Sequence, residues 1–156
     1  MGPKPLVNYY RKGSLVASFK APVTKGVLAA SISPDGTKAV VAGMDDDHEV
    51  ALLDLEKERV IKKNKGSKKV IMKLGWISDS EFVSVGIRHF KHWTIDKGNF
   101  KGKDGKSPVY FVSLAIADQK ILTGASHGEI YSWRGNTGTK AITLHKPFVK
   151  QHSDDE

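Results

Sequence analysis

Short stretches of alternating apolar and polar residues, separated by turn residues, follow one another along most of the chain. In residues 27–33 (VLAASIS) the alternation has the two-residue period of a strand with one buried face. Turn residues then separate this segment from three further strand-like segments: residues 38–44, 49–55 and 59–63. The pattern therefore predicts an antiparallel meander of four strands.

The same meander recurs twice, beginning at Val70 and at Val109. The third strand of each copy carries a bulky landmark residue, and the landmarks Leu53, Trp93 and Trp133 are each 40 residues apart. A period near 40 to 45 with an aromatic residue in the third strand is typical of WD40 repeats. We therefore predict an all-β fold of WD40-like β-propeller blades, each a four-stranded antiparallel meander. An all-β sandwich with regular strands is the alternative.

The repeats divide the chain into a short arm, a run of blades and a tail. We expect an N-terminal arm over residues 1–13, blades over residues 14–150 and a disordered tail over residues 151–156. The blade boundaries are expected at about residues 14–64, 65–100 and 101–146, with Ser14–Phe19 as the outer strand of a preceding blade. Because complete rings have ~4–8 blades, about three blades form an incomplete propeller. We expect further blades of the same or another chain to cover its open faces.

Several side chains are expected to build the blades. Stacked blades bury apolar layers, for which the pattern predicts Val40, Val41, Leu52, Leu55, Phe82, Val83, Ile121 and Leu122. Three buried tryptophans, Trp76, Trp93 and Trp133, each need a partner for the indole N–H. His48 and His127 each lie six residues before a third-strand landmark position, Asp54 or Trp133, and this favours a shared structural role over metal ligation.

Candidate chemistry is sparse, so we predict no enzyme and no catalytic, cofactor-binding or metal site. Residues 124–128 fit G-x-S-x-G around Ser126, but a strand-like segment follows where the motif needs a helix. Gly105-Lys106-Ser107 lacks the first glycine of a phosphate-binding loop. Asp45-Asp46-Asp47 reads as a solvated turn rather than a cation site. The chain has no cysteine, which excludes disulfides and thiolate metal sites.

The charge distribution is the main functional feature. The formal net charge is +8, which favours acidic partners. Two basic clusters lie at the predicted outer strand and inter-blade links, and we predict that they form one partner-binding patch. Its members are Arg59, Lys62, Lys63, Lys65, Lys68, Lys69, Lys73, Lys97, Lys101, Lys103 and Lys106. The alternative is that these lysines only keep strand edges from pairing.

Three consecutive segments resemble one known family. Residues 43–60 (GMDDDHEVALLDLEKERV), 68–95 and 98–135 resemble successive blades of the echinoderm microtubule-associated protein-like family. The resemblance implies a non-catalytic scaffold of the microtubule cytoskeleton that binds tubulin or associated proteins. It also implies a location in the cytoplasm and cytoskeleton, including the cilium. The alternatives are a generic WD40 scaffold in another intracellular complex and a basic RNA-binding module. No membrane partner is expected, and the scarcity of exposed aromatics disfavours nucleic acid.

Overall fold

The computed structural model describes residues 4–144, and this part of the chain is built from β-strands. The strands are β1 Leu6–Arg11, β2 Ser14–Lys20, β3 Val27–Ile32, β4 Lys38–Gly43, β5 Val50–Asp54, β6 Arg59–Asn64, β7 Ile71–Ser78, β8 Glu81–Gly86, β9 His89–Asp96, β10 Asn99–Asp104, β11 Phe111–Ala117, β12 Lys120–Ala125, β13 Glu129–Arg134 and β14 Thr137–Thr143. Residues 4–144 include no helix long and apolar enough to cross a membrane.

The strands form three four-stranded antiparallel sheets and one hairpin. Blade 1 consists of β3–β6, blade 2 of β7–β10 and blade 3 of β11–β14, each with its strands in chain order across the sheet. The hairpin β1–β2 precedes blade 1. The prediction of all-β, four-stranded antiparallel blades is therefore confirmed. The strand β1 lies within the residues expected to form an arm, and the tail expected at residues 151–156 lies outside the described residues.

Apolar layers hold neighbouring units together. The second strands of blades 1 and 2, β4 and β8, are buried almost end to end because each lies between two other sheets. One layer joins the hairpin to blade 1, a second joins blades 1 and 2, and a third joins blades 2 and 3. In the third layer the Trp133 ring stacks on Phe90 of blade 2 at 3.6 Å between centroids. Each landmark residue thus packs toward the preceding unit.

Two details of the sequence interpretation were wrong. Leu122 was expected in an inter-blade layer but is 42% exposed, because it faces away from blade 2. The second basic cluster was expected in a link, but Lys101 and Lys103 lie on β10, the fourth strand of blade 2. That strand pairs with β9 over six residues.

Candidate interaction surface

Four of the eleven patch residues are already paired with acidic side chains of the same chain. Their ion pairs are Arg59–Asp54 at 3.9 Å, Lys63–Glu49 at 3.0 Å, Lys65–Asp47 at 3.1 Å and Lys68–Asp47. The hydrogen bonds from Lys68 and then Lys65 lower the pKa of the Asp47 carboxyl. Three acidic side chains of blade 1, Asp47, Glu49 and Asp54, therefore offset part of the positive charge of the first basic cluster.

Three other patch residues line one groove between the outer strands of blades 1 and 2. Lys62 comes from β6, Lys97 from the β9–β10 turn and Lys101 from β10. They surround a cavity of about 580 Å³, which lies within the range of roughly 300–1,000 Å³ for small-ligand pockets. None of the three forms an ion pair with any residue among 4–144. Asp96 lines the same groove. The three lysines and this aspartate together give the groove a net charge of +2. The structure thus brings both basic clusters together at this groove.

The groove is held by contacts between the two blades. Asn64 of β6 donates a hydrogen bond from Nδ2 to the backbone oxygen of Phe100. Phe100 is 2% exposed because its ring packs against Phe82 and Trp93. Its aromatic face is therefore turned into the core and offers nothing to a ligand in the groove.

The remaining patch residues lie outside this groove. Lys69 donates from Nζ to the backbone oxygen of Arg88 at 3.2 Å, which ties the link to the β8–β9 turn. Lys73, Lys103 and Lys106 are exposed. They add positive charge to the surface without lining the cavity.

The three tryptophans each find a hydrogen-bond partner for the indole N–H within the fold, as the sequence predicts. Trp93 Nε1 donates to Ser84 Oγ at 2.9 Å, and Trp133 Nε1 donates to Thr123 Oγ1 at 2.8 Å. Trp76 Nε1 donates across the blade boundary to the backbone oxygen of Ser31 at 3.0 Å. Each buried N–H is therefore satisfied, as burial requires.

His89 completes a buried chain of hydrogen bonds that no sequence motif indicates. Ser84 Oγ lies 2.8 Å from His89 Nε2 and accepts from Trp93, so its hydroxyl proton is free to be donated to a neutral imidazole. Burial, with a smaller contribution from nearby Lys91, lowers the pKa of His89 to about 4. The residue is therefore neutral at physiological pH and serves as a structural acceptor.

His48 and His127 do not share one role. His48 Nδ1 lies 3.0 Å from the backbone oxygen of Ser67 and so bonds to the link between blades 1 and 2. His127 Nε2 lies 2.9 Å from Glu129 Oε2, within the β12–β13 hairpin region. The equal spacing in sequence therefore conceals two different hydrogen bonds.

The residues weighed for catalysis or cation binding occupy ordinary turns. Ser126 lies in the turn between β12 and β13, so a strand follows it where a nucleophile elbow requires a helix. Asp45 accepts a hydrogen bond at Oδ1 from the backbone N–H of Glu49 at 3.0 Å, which closes the β4–β5 turn. Both motifs are thus explained by local backbone structure.

Comparison with known proteins identifies the type of fold. No protein-family model matches the sequence. The C-terminal WD40 domain of Sif2 superposes with a TM-score of 0.60 at 18% identity, covering 82% of this chain and 36% of that one. The three sheets are WD40-type propeller blades.

A curated relative agrees with this fold. The Ciliary WD repeat-containing protein ctxp80 of Euplotoides octocarinatus is 27% identical over 133 residues, which cover 79% of this chain and 19% of the relative. The chain thus spans about a fifth of that protein's length. Together the findings support a WD40-repeat fold.

Proposed function

We propose that the protein is a non-catalytic interaction module of the microtubule cytoskeleton that binds acidic segments of tubulin or of associated proteins through the lysine groove. The groove of Lys62, Lys97 and Lys101 is the observation that carries the proposal, because these lysines converge without an ion pair among residues 4–144. The ciliary relative supports the cytoskeletal context, and we propose the cytoplasm and the cilium as the location.

The chemistry of the groove favours acidic peptide over nucleic acid. Lysine ammonium groups act as point charges and do not provide the planar bidentate contacts that arginine makes with phosphate. Binding of single-stranded nucleic acid also uses exposed aromatic rings on which bases stack. Phe100 is the aromatic residue that lines the groove, and it is buried. The carboxylates of a flexible acidic peptide need neither bidentate arginine contacts nor exposed aromatic rings.

The expected strength is modest. An exposed ion pair contributes ~0–1 kcal/mol, so three pairs at about 0.5 kcal/mol each change affinity roughly tenfold. Such contacts are screened by salt, and useful binding then requires several of them on a repetitive lattice. A polymer that displays many acidic tails meets this requirement better than a single peptide.

Co-sedimentation with polymerised tubulin at low and high salt tests the proposal. The variant K62Q/K97Q/K101Q removes three groove charges, and the control K12Q/K20Q/K120Q removes three exposed charges elsewhere. We expect roughly tenfold weaker binding for the groove variant and little change for the control. An equal loss in both variants, or retention on RNA but not on tubulin polymer, would overturn the proposal.

One observation favours a second candidate, a WD40 scaffold in another intracellular complex. Since Arg59, Lys63, Lys65 and Lys68 are paired internally, part of the basic patch stabilises the fold instead of binding a partner. In that case, wild type and both triple-glutamine variants would all fail to sediment with tubulin polymer.

A further inference from the structure

The strand β10 leaves one edge free beside the lysine groove. It lies at the end of its sheet and pairs with β9 alone among the described strands. Residues along an antiparallel strand alternate between those that bond to the partner strand and those whose N–H and C=O face away from it. The Gly105 N–H donates to the Phe90 oxygen at 2.9 Å and so continues the bonds between β9 and β10. The even-numbered residues 100, 102 and 104 therefore face outward.

Two asparagines from the neighbouring blades bond to carbonyl oxygens on this edge. Asn64 of blade 1 donates from Nδ2 to the Phe100 oxygen, and Asn136 of blade 3 donates from Nδ2 to the Asp104 oxygen at 2.9 Å. Both acceptors belong to the even-numbered residues, as the alternation requires. The edge thus keeps three outward N–H groups, but Gly102 has the one outward carbonyl that bonds to no residue among 4–144.

This edge is a poor template for a further β-strand. An added antiparallel strand exchanges two hydrogen bonds with each outward residue, so it needs acceptors as well as donors. Because the asparagines already occupy the carbonyls of Phe100 and Asp104, such a pairing would be complete only at Gly102. An edge with more donors than acceptors instead favours a ligand group that only accepts hydrogen bonds, such as an ionised carboxylate.

The same edge borders the lysine groove. Phe100 lines the cavity together with Lys62, Lys97 and Lys101, and its ring is buried in the core, so its backbone is the part that borders the cavity. Gly102 follows two residues along the strand, roughly 6.8 Å away by the rise of an extended chain. It has no side chain to cover its N–H. Backbone donors and lysine ammonium groups therefore lie close enough to contact one ligand segment.

We propose that the outward N–H groups of Phe100 and Gly102 bind carboxylates of the acidic partner, while the lysines supply the surrounding positive charge. Asn64 and Asn136 are specificity-determining residues, because they occupy carbonyl oxygens that would otherwise repel a carboxylate or pair with a strand. The partner segment carries carboxylates at every second residue, which matches the spacing of the two N–H groups. This inference rests on the proposed function and identifies the atoms that recognise the acidic segment.

NMR of the backbone amides during titration with pentaglutamate, acetylated and amidated at its ends, tests the assignment in the full chain. We expect the amide protons of Phe100 and Gly102 to move downfield, while those of Lys101 and Lys103, which bond to β9, shift much less. The same pattern is expected for a pentaglutamate methylated at alternate backbone nitrogens, because this peptide cannot form a strand ladder. Binding of the unmethylated peptide alone would indicate strand addition and would overturn the proposal.

Two variants at Gly102 isolate the contribution of its N–H group. Gly102→Ala and Gly102→Pro both place a Cβ 2.8 Å from the Trp93 ring, but only proline removes the N–H. We expect the proline variant to bind pentaglutamate roughly fivefold more weakly than the alanine variant. Circular dichroism checks that both variants fold.

The outcomes separate this inference from the proposed function. Equal affinities of the two variants, or wild-type amides at Phe100 and Gly102 that do not shift while pentaglutamate binds, overturn the role of the N–H groups alone. Failure of pentaglutamate to bind the wild-type chain counts against the lysine groove as well.

Discussion

Acidification is expected to destabilise blade 2 through His89. When the pH falls from 7.5 to 5.0, His89 becomes protonated in the unfolded chain. In the folded protein the buried His89 stays neutral. The pKa of about 4 in the folded protein lies below the ordinary value of 6.5. Stability linked to His89 is therefore fully present above pH 6.5 and is lost as the pH falls toward 4.

The magnitude follows from the two pKa values. One pKa unit corresponds to about 1.4 kcal/mol. The shift of the His89 pKa from 6.5 to about 4 therefore means that the free energy of unfolding falls by about 3 kcal/mol once the pH is below 4. At pH 5.0 the unfolded chain has taken up most of its proton, and about 2 kcal/mol of the linked stability is gone. His89 is only 4% exposed, so solvent screening reduces this value little.

Urea unfolding followed by tryptophan fluorescence measures the effect in wild type and in His89→Gln. The glutamine amide oxygen replaces the acceptor for Ser84 but does not titrate. Between pH 7.5 and 5.0 we expect wild type to lose about 2 kcal/mol more than the variant. The pKa of Glu129, which hydrogen bonds led by Lys140 lower to about 2, affects stability only below pH 4.5 and in both proteins alike. Parallel pH profiles for the two proteins would refute the reasoning.

Other changes test the landmark positions by the same unfolding measurement. Ser84→Ala leaves the buried Trp93 N–H without an acceptor and should cost ~1–3 kcal/mol, while Ser84→Thr, which keeps the hydroxyl, should recover most of it. Gly138→Ala places a Cβ within 2.7 Å of the Trp133 ring and should cost ~1–3 kcal/mol, and an unchanged unfolding midpoint would contradict this packing. Leu53→Trp places a larger side chain in the buried layer between the hairpin and blade 1 and should cost ~1–3 kcal/mol. An unchanged free energy of unfolding would show that this layer has room for an indole.

The repeat could be read from the sequence because the landmark spacing and strand alternation are local properties. The strand β10 (NFKGKD) was not recognised, since its single large apolar residue, Phe100, gives no alternation. It forms because an outer strand needs only one anchored side chain and a glycine that allows close approach. Gly102 meets this need, because a Cβ there would lie 2.8 Å from the Trp93 ring.

The electrostatic state of the patch could not be predicted from the sequence. Asp47 pairs with Lys65 and Lys68 through a contact between a turn and a link that are distant in sequence. These ion pairs decide which lysines remain free to bind a partner. The ion pairs in turn depend on how blades 1 and 2 stack. The role of His89 could not be predicted either, because it depends on the burial of its ring beside Ser84 across the β8–β9 hairpin.

Blades 2 and 3 share a three-part arrangement around the landmark tryptophan. The indole N–H bonds to a hydroxyl on the second strand, and a glycine on the fourth strand lies opposite the ring. The residues are Ser84, Trp93 and Gly102 in blade 2, and Thr123, Trp133 and Gly138 in blade 3. The three parts depend on one another because the buried indole needs a hydrogen-bond acceptor for its N–H and a residue without a side chain opposite its ring.

Blade 1 differs at all three positions. Leu53 takes the landmark position, Val41 takes the hydroxyl position and Val60 lies opposite Leu53 on the fourth strand. Leucine has no N–H to satisfy, so an apolar Val41 leaves no buried polar group unpaired, and replacing both members of a hydrogen-bonded pair costs far less than removing one. The smaller side chain also leaves room for the Val60 Cβ. The leucine at position 53, where blades 2 and 3 have tryptophan, is therefore part of a coupled exchange of a polar arrangement for an apolar one, and this exchange preserves the blade.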